Sequence, residues 1–388
     1  MGAGRSLNSL RPASRSAHLE RERTARSTQW ACGAGLCTGL TCSLSKTEAA
    51  PCVDWKQGSA LSVCDMIVVG NSIRRDEETM PQHFLAVRDI SADEFNYIVD
   101  KAIEIKRDPE PWSESLKGRT LAMIFQKTST RTRFSFEAGM TQLGGHAIFA
   151  QTQHTQMGIA DIADEGKVIS RYADLIMARM MYNRDLVALA QGSEVSVING
   201  CDDRYHPAQA LTDLMTIKEK LGRTEGVKIV YMGIANNVSN SLSMASIYAG
   251  ARFTLCVPEF DPPAVDEEQL AILRANDRYE ETDDPAEAMK DADVVYTDTW
   301  INMEHFNNPE FAEEKERRIR TFKPYQVNED LLRLSGKETT LVMHCLPAHK
   351  GYEVNETILY HPNSVVFDQA ENRLHAQKAL MLWLLGKL

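Results

Sequence analysis

The stretch 127–133 (KTSTRTR) constrains this chain most, because it joins a strand pattern to a helix pattern. The apolar run 120–125 (TLAMIF) has the length of a strand, and apolar residues recur at helical spacing after the stretch, up to a glycine pair at 144–145. A helix start offers free backbone N–H groups and the positive end of the helix dipole. With hydroxyl and guanidinium side chains added, it predicts an anion site, and phosphate is the anion we expect. Arg131 and Arg133 point in different directions from a helix start, so at most one need face the ligand.

On these residues alone, a solvated basic helix entry remains an alternative. Three further segments decide between the two interpretations. They are YHPAQALTD at 205–213, MHCLPAHKGYEV at 343–354 and FDQAENRLHAQKALM at 367–381. Together with FQKTSTRTRFSFE, they closely resemble the carbamoyltransferase family, and most of all its ornithine carbamoyltransferases. The motifs stand in the order of the family, and the resemblance covers about residues 81 to 388.

Strand and helix patterns alternate along the chain, which predicts an α/β fold. The resemblance implies two Rossmann-like parallel-sheet domains with the active site in the cleft between them. We expect a carbamoyl phosphate-binding domain at 80–222 and an amino-acid-binding domain at 223–366. Residues 367–388 are then a C-terminal helix that packs back on the first domain, with Asp368 as its expected N-cap. Only Gly233 stands where a dinucleotide fingerprint needs three glycines, so we expect no NAD and no other cofactor.

Residues 1–79 differ from the rest in composition, and we expect a disordered or targeting extension there without a catalytic role. The first part is rich in Arg and Ser, as in organelle transit peptides, and an extended gene start ahead of Met66 or Met80 fits equally. We therefore expect a cytoplasmic protein, or a mitochondrial or plastid one if the extension is a transit peptide. A net charge of −11 argues against nucleic acid or a membrane as partner.

The resemblance implies a set of site residues and no metal. Arg131, His206, Asp298 and Cys345 are expected to be catalytic. The expected carbamoyl phosphate contacts are Ser129, Thr130, Arg131, Thr132, Gln156, Arg179, His206, Gln209, Cys345, Leu346 and Arg373. The expected amino-acid contacts are Asn237, Asp298, Asn302 and Met303, and the residues themselves offer Asn236 as a further amide donor. Gln156 is expected to join from a neighbouring subunit, which implies a homotrimer with shared active sites.

The implied reaction is transfer of the carbamoyl group of carbamoyl phosphate to the side-chain amine of L-ornithine, which gives citrulline and phosphate. The attack is direct, so Cys345 has no covalent role, although a thiol between cations could have a lowered pKa.

Three segments depart from the family pattern. Asn302-Met303-Glu304 replaces Ser-Met-Gly in a longer loop, GIANN replaces a GDxNN-type segment, and MGIADIADEG replaces a GRGES-like one. Another amine acceptor, such as putrescine or a modified amino acid, therefore stays open. A non-catalytic homologue is a further alternative, against which the intact motifs argue.

Overall fold

The structure is a computed structural model that describes residues 81–302 and 305–388. The predicted extension at 1–79 lies outside the described residues, and so does Met303. The described chain is an α/β protein with two parallel β-sheets, one in each half. The predicted fold class is confirmed.

The first sheet has four parallel strands in the order β2-β1-β3-β4. They are β1 (Thr120–Phe125), β2 (His146–Gln151), β3 (Leu175–Arg179) and β4 (Ser196–Cys201). The helices of this half are α1 (Ala92–Arg107), α2 (Thr130–Gln142), α3 (Ile162–Ile169), α4 (Asn183–Gly192) and α5 (Pro207–Leu221). The strand order reverses between β1 and β3, and ligands of α/β proteins bind beyond the carboxyl ends of strands at such a reversal.

The second sheet has five parallel strands in the order β7-β6-β5-β8-β9. They are β5 (Lys228–Ala235), β6 (Arg252–Phe260), β7 (Tyr279–Thr282), β8 (Val294–Thr297) and β9 (Leu341–His344). The helices are α6 (Asn237–Tyr248), α7 (Glu267–Arg274), α8 (Pro285–Met289), α9 (Ala312–Phe322), α10 (Glu329–Arg333) and α11 (Val366–Leu384). The reversal here lies between β5 and β8.

Local sequence explains where several helices begin. Ser91 caps α1 in a capping box with Glu94, as the spacing predicts, and Ser129 caps α2 by accepting from the backbone N–H of Thr132. The expected cap of α11 is wrong. That helix begins at Val366, and Asp368 lies in its first turn, where a carboxylate favours the helix dipole without capping it.

One continuous apolar cluster joins the two halves, because buried residues of both sheets belong to it. Helix α11 packs against α1, α2 and α5 of the first half and against β9 of the second. Its middle is buried, including the polar residues Gln369, Asn372 and Arg373. A chain segment from the end of the sequence therefore lies beside the helix start at Ser129, and it carries polar groups into the protein.

Candidate active site

The candidate site is built by segments that follow the carboxyl ends of strands in both sheets. In the first sheet, β1 leads into α2, β3 ends at Arg179, and β4 leads through a short loop to His206. In the second sheet, β8 is followed by Asp298 and β9 by Cys345. Parallel strands bring their carboxyl ends to one edge, and this is why residues far apart in sequence meet here.

The start of α2 has the geometry of an anion site. Thr130 and Arg131 occupy the first two helical positions, so their backbone N–H groups have no acceptor within the helix. Arg131 is partly buried, and burial lowers the pKa of its guanidinium, as does the charge of Arg179. Arg133 instead pairs with Glu137 at 3.1 Å and stacks on Phe149. Only the first of the two arginines faces the site, in agreement with the expectation from their spacing.

Arg373 comes from α11 and closes this end of the site. Its Nη2 donates to Thr132 Oγ1 at 2.8 Å, and its Nη1 donates to Gln209 Oε1. The side chain is 2% exposed, and burial together with the charges of Arg179 and Arg131 lowers its pKa to about 10. It therefore remains a cation at neutral pH and adds charge to the start of α2.

His206 lies at the N-cap of α5 and is held from the other half of the protein. Its backbone N–H donates to Ser241 Oγ of α6 at 2.8 Å. Burial lowers the pKa of the imidazole well below its usual range, and the charges of Arg373 and Arg179 add to the effect. The ring is consequently neutral, and a neutral imidazole can donate one hydrogen bond to a substrate oxygen.

Three buried nitrogen atoms at this end have no hydrogen-bond partner among the described residues: His206 Nδ1, Arg179 Nε and Arg373 Nε. Burying an unpaired donor costs about 1–3 kcal/mol. The same atoms belong to residues that perturb one another's charge, so they lie around one volume. The arrangement is that of a site that awaits an anionic ligand with several acceptor oxygens.

Both ends of the Gln209 amide are already bonded to other side chains of the protein. Its Oε1 accepts from Arg373, and its Nε2 donates to Asp213 Oδ1 at 2.8 Å. Gln369 of α11 also donates to that carboxyl oxygen, at 2.7 Å. Burial raises the pKa of Asp213 to about 7, and the hydrogen bonds from the two glutamines oppose this rise. Sequence reasoning missed Asp213 and Gln369, because neither stands next to a strand end.

The acceptor end is organised around Asp298. Cys345 Sγ donates to its Oδ1 at 3.0 Å, and Asn236 Nδ2 donates to its Oδ2 at 2.8 Å. Burial and the neighbouring carboxylate raise the pKa of the Cys345 thiol well above its usual range. The lowered thiol pKa that the sequence suggested is therefore wrong. Burial and the charge of Asp298 raise the pKa of Cys345 more than Arg131 lowers it. A protonated thiol is a poor nucleophile and serves here as a donor.

The two asparagines after β5 are both engaged with the protein. Asn236 caps α6 with its amide oxygen, so it does not offer its amide to a substrate as we expected. Asn237 Nδ2 donates to the carbonyl oxygen of Asp202 at 2.7 Å and to Cys201 Sγ at 3.2 Å, and its amide oxygen accepts no hydrogen bond from the described residues. Asn302 Nδ2 lies 3.5 Å from Asp261 Oδ2.

The GIANN departure has a packing consequence. Ile234 is 2% exposed and packs with Trp300, Ile301 and Phe322 beneath the loop that follows β8. In the same loop, Phe306 stacks on His349 with ring centroids 3.9 Å apart. This stacking joins the loop after β8 to the loop after β9, which carries Cys345 and Leu346.

Gln156 lies in the exposed loop between β2 and α3, and its backbone oxygen accepts from the N–H groups of Ile159 and Ala160. Among the described residues, its side chain makes no hydrogen bond to the other predicted site residues. Asp298, His344 and Cys345 have ligand atoms within 4.8 Å of one another. A cation there would have to displace the partners of His344 and the proton of Cys345, so we assign no metal to this cluster.

Comparisons with known proteins agree with this geometry. The family model for the carbamoyl-P binding domain of aspartate/ornithine carbamoyltransferase matches residues 82–219, and the model for the Asp/Orn binding domain matches residues 225–384. The chain belongs to the aspartate/ornithine carbamoyltransferase family.

Individual relatives span nearly the same part of the chain. The anabolic ornithine carbamoyltransferase of Pyrococcus furiosus is 46% identical over 310 residues, which are 78% of this chain and 96% of the relative. That of Thermococcus kodakarensis is 48% identical over 275 residues, 70% of this chain and 85% of the relative. A solved structure of ornithine carbamoyltransferase from Pyrococcus furiosus superposes with a TM-score of 0.73 at 44% identity, and covers 80% of this chain and 98% of the solved one.

Proposed function

We propose that this carbamoyltransferase transfers the carbamoyl group of carbamoyl phosphate to the side-chain amine of L-ornithine and releases citrulline and phosphate. The observation that carries the proposal is the set of unpartnered nitrogens on His206, Arg179 and Arg373 beside the free start of α2. These donors match an anion that also bears a carbonyl group. Relatives named as ornithine carbamoyltransferases support the choice of acceptor.

The phosphate group binds at the start of α2 in this proposal. Ser129, Thr130 and Thr132 supply hydroxyl and backbone donors, and Arg131 supplies a cation. These groups stabilise the charge that grows on the leaving phosphate as its bond to the carbonyl carbon breaks. No metal and no redox cofactor is needed for this step.

The carbonyl oxygen is polarised by donors that exist before the substrate arrives. Neutral His206 donates a hydrogen bond, and Arg373 and Arg179 place positive charge nearby. Fixed donors aimed at a developing oxyanion lower the barrier because they need no reorganisation during the reaction. The backbone carbonyls of Cys345 and Leu346 accept from the carbamoyl NH₂ group.

The acceptor amine attacks from the side of Asp298. This carboxylate already receives two donors from the protein, so it is fixed in direction before ornithine binds. The amide oxygen of Asn237 and the amide of Asn302 bind the α-amino-acid end, and Met303 is a further proposed contact. The amine attacks the carbonyl carbon in its uncharged form, the bond from that carbon to the phosphate oxygen breaks, and the proton lost by the nitrogen leaves with the phosphate.

The proposal is tested by incubating the full chain with carbamoyl phosphate and a panel of amines, with phosphate release and citrulline formation measured separately. We expect citrulline from L-ornithine at the highest kcat/KM. No phosphate release with any amine would contradict the enzyme assignment. A preference for putrescine, reversed in an Asn302→Ser, Glu304→Gly double variant, would replace ornithine as acceptor and identify this loop as the selector.

We further propose a homotrimer in which Gln156 completes the site of a neighbouring subunit. The support is a set of exposed apolar side chains between α2 and the turn that follows α3: Phe134, Ile148, Ile159, Val168 and Tyr172. Such residues are more typical of an interface than of a free surface. Mixing Arg131→Ala with Gln156→Ala subunits should restore part of the activity, and verified mixed trimers without recovery would contradict a shared site.

The same proposal includes domain boundaries at 222/223 and 366/367 and a dispensable extension at 1–79. No helix among the described residues is long and apolar enough to cross a membrane. Separately, we propose that the residues before Met80 take no part in catalysis and that the enzyme is cytoplasmic, or mitochondrial or plastid if the extension is a transit peptide. A chain that starts at Met80 should keep the melting temperature and kcat/KM of the full chain, and a large loss of either would show that the extension contributes to the fold.

A further inference from the structure

The loop that follows β9 is held from behind by three buried side chains. The backbone N–H of His344 donates to Gln369 Oε1 at 3.0 Å. The N–H of Leu346 donates to His344 Nδ1 at 2.8 Å, and the N–H of His349 donates to Glu353 Oε1. Three backbone donors at the end of β9 and in the loop are thus satisfied by side chains.

Glu353 is the unusual member of this set. Its side chain is 0% exposed, and its Oε2 has no partner among the described residues. Burying a carboxyl group without full pairing is costly, so a protein that keeps one there gains something in return. Its Oε1 faces His344 Nε2 at 3.3 Å, and His344 is also fully buried.

The two bonds of His344 fix its tautomer. Nδ1 accepts from the N–H of Leu346, so Nδ1 carries a lone pair and the ring proton is on Nε2. That proton points at Glu353 Oε1, which selects this tautomer over the other. Without an acceptor at Nε2, the proton could move to Nδ1 and oppose the N–H of Leu346.

The direction of one N–H also fixes the direction of a carbonyl group. The peptide between Cys345 and Leu346 is planar, and in a trans peptide the C=O points opposite to the N–H. With the N–H of Leu346 aimed inward at His344, the carbonyl of Cys345 points away from the buried ring. Leu346 itself has φ of +57°, a left-handed conformation that a leucine adopts only when its surroundings hold it there.

We propose that Glu353 and His344 are positioning residues that aim the Cys345 carbonyl at the carbamoyl NH₂ group. This inference rests on the proposed function, because it assigns a partner to the carbamoyl end of the substrate. Neither side chain touches the substrate. Glu353 sets the tautomer of His344, His344 holds the N–H of Leu346, and the peptide plane transmits the orientation to the carbonyl.

The test compares two variants of His344. Each places a polar side-chain atom near the position of one of the two ring nitrogens. His344→Asn keeps an acceptor near Nδ1 and loses the reach to Glu353, whereas His344→Gln reaches towards Glu353 and loses the acceptor for Leu346. The measurements are the affinities for carbamoyl phosphate and for inorganic phosphate, which lacks the carbamoyl group. We expect His344→Gln to weaken carbamoyl phosphate binding about 10- to 100-fold with phosphate binding unchanged, and His344→Asn to stay within about 5-fold of the parent.

Two more variants act on the other end of the pair. Glu353→Gln keeps an acceptor for the ring and for the N–H of His349, so it should behave like the parent. Glu353→Leu removes that acceptor and should show the same selective loss as His344→Gln. If His344→Gln does not fold, Glu353→Leu carries the test alone, because its ratio of carbamoyl phosphate to phosphate affinity is measured in the same way.

His361→Gln is the matched control. His361 Nδ1 accepts from the N–H of Asn363, two residues later, just as His344 Nδ1 accepts from Leu346. This second histidine lies near the amino end of β9, away from Cys345. It should leave both affinities unchanged. Equal weakening of both ligands in His344→Gln, or a loss in His344→Asn as large as in His344→Gln, would overturn the inference. A parent protein that forms no citrulline would instead contradict the proposed function, so the two failures are distinct.

Discussion

At the carbamoyl end of the site, buried nitrogens of His206, Arg179 and Arg373 have no partner in the described part of the chain. At the acceptor end, Asp298, Asn236 and Asn237 already bond within the protein. The first end therefore presents donors that are ready for a ligand, at a cost to the free protein. The second is stable but partly occupied by its own contacts. We infer that carbamoyl phosphate binds with little rearrangement and that the acceptor must compete with bonds the protein already makes.

The largest effect is expected at the carbamoyl end. Arg131→Ala removes a cation that pairs with phosphate in a desolvated site, which costs about 2–5 kcal/mol, or roughly 30-fold to several thousand-fold in kcat/KM. Steady-state kinetics measure the loss, and the melting temperature should be almost unchanged. Arg133→Ala is the control, because Arg133 already pairs with Glu137. An Arg131→Ala variant with parental kcat/KM would show that the phosphate lies elsewhere.

Ligand stabilisation measures the difference between the two ends directly. Carbamoyl phosphate or inorganic phosphate alone should raise the melting temperature, because a ligand at 100 times its Kd adds about 2.7 kcal/mol to the folded state. Ornithine alone should raise it much less at the same concentration, since its contacts replace existing ones. Differential scanning fluorimetry measures both shifts. Equal stabilisation by the two ligands would mean that the acceptor end is as open as the carbamoyl end.

Asp213 gives the carbamoyl end a pH signature in stability. Its folded pKa of about 7 lies above its unfolded value, so its contribution is present below about pH 4 and is lost as the pH rises through 7. Asp213→Asn should remove this dependence, and its melting temperature relative to the parent should rise on the order of 1–3 °C between pH 5 and pH 8. A relative melting temperature that falls over this range would contradict the raised pKa.

The smallest effect is expected at the acceptor end. Phe306→Leu removes the stacking on His349 and loosens the link between the loops after β8 and β9, at a cost of about 0.5–1.5 kcal/mol. The KM for ornithine should rise roughly 2- to 10-fold, with the KM for carbamoyl phosphate unchanged. Phe367→Leu, at an exposed position on α11, is a suitable control. A rise in both KM values would show that this stacking supports the whole site.

The sequence alone determined the elements that carry the carbamoyl end. A strand, a hydroxyl-rich turn and a helix start are adjacent in the chain, so β1, Ser129 and the start of α2 follow from local patterns. The helix α1 follows for the same reason, because Ser91 and Glu94 have capping-box spacing and apolar residues recur at helical spacing from Phe95 to Ile103. Three of the four family motifs follow strand ends, where parallel sheets place ligands, and the fourth lies in α11.

The contacts that those residues make depend on the tertiary structure and cannot be read from local patterns. Arg373 reaches Thr132 from 241 positions away, which no local pattern specifies. The pKa of Cys345 is raised because the fold buries it beside Asp298. The amide oxygen of Asn236 accepts hydrogen bonds at the N-terminus of α6 and caps that helix. Burial and charge depend on neighbours brought together by packing, so the protonation states of the site and the roles of Asp213 and Glu353 follow from the fold.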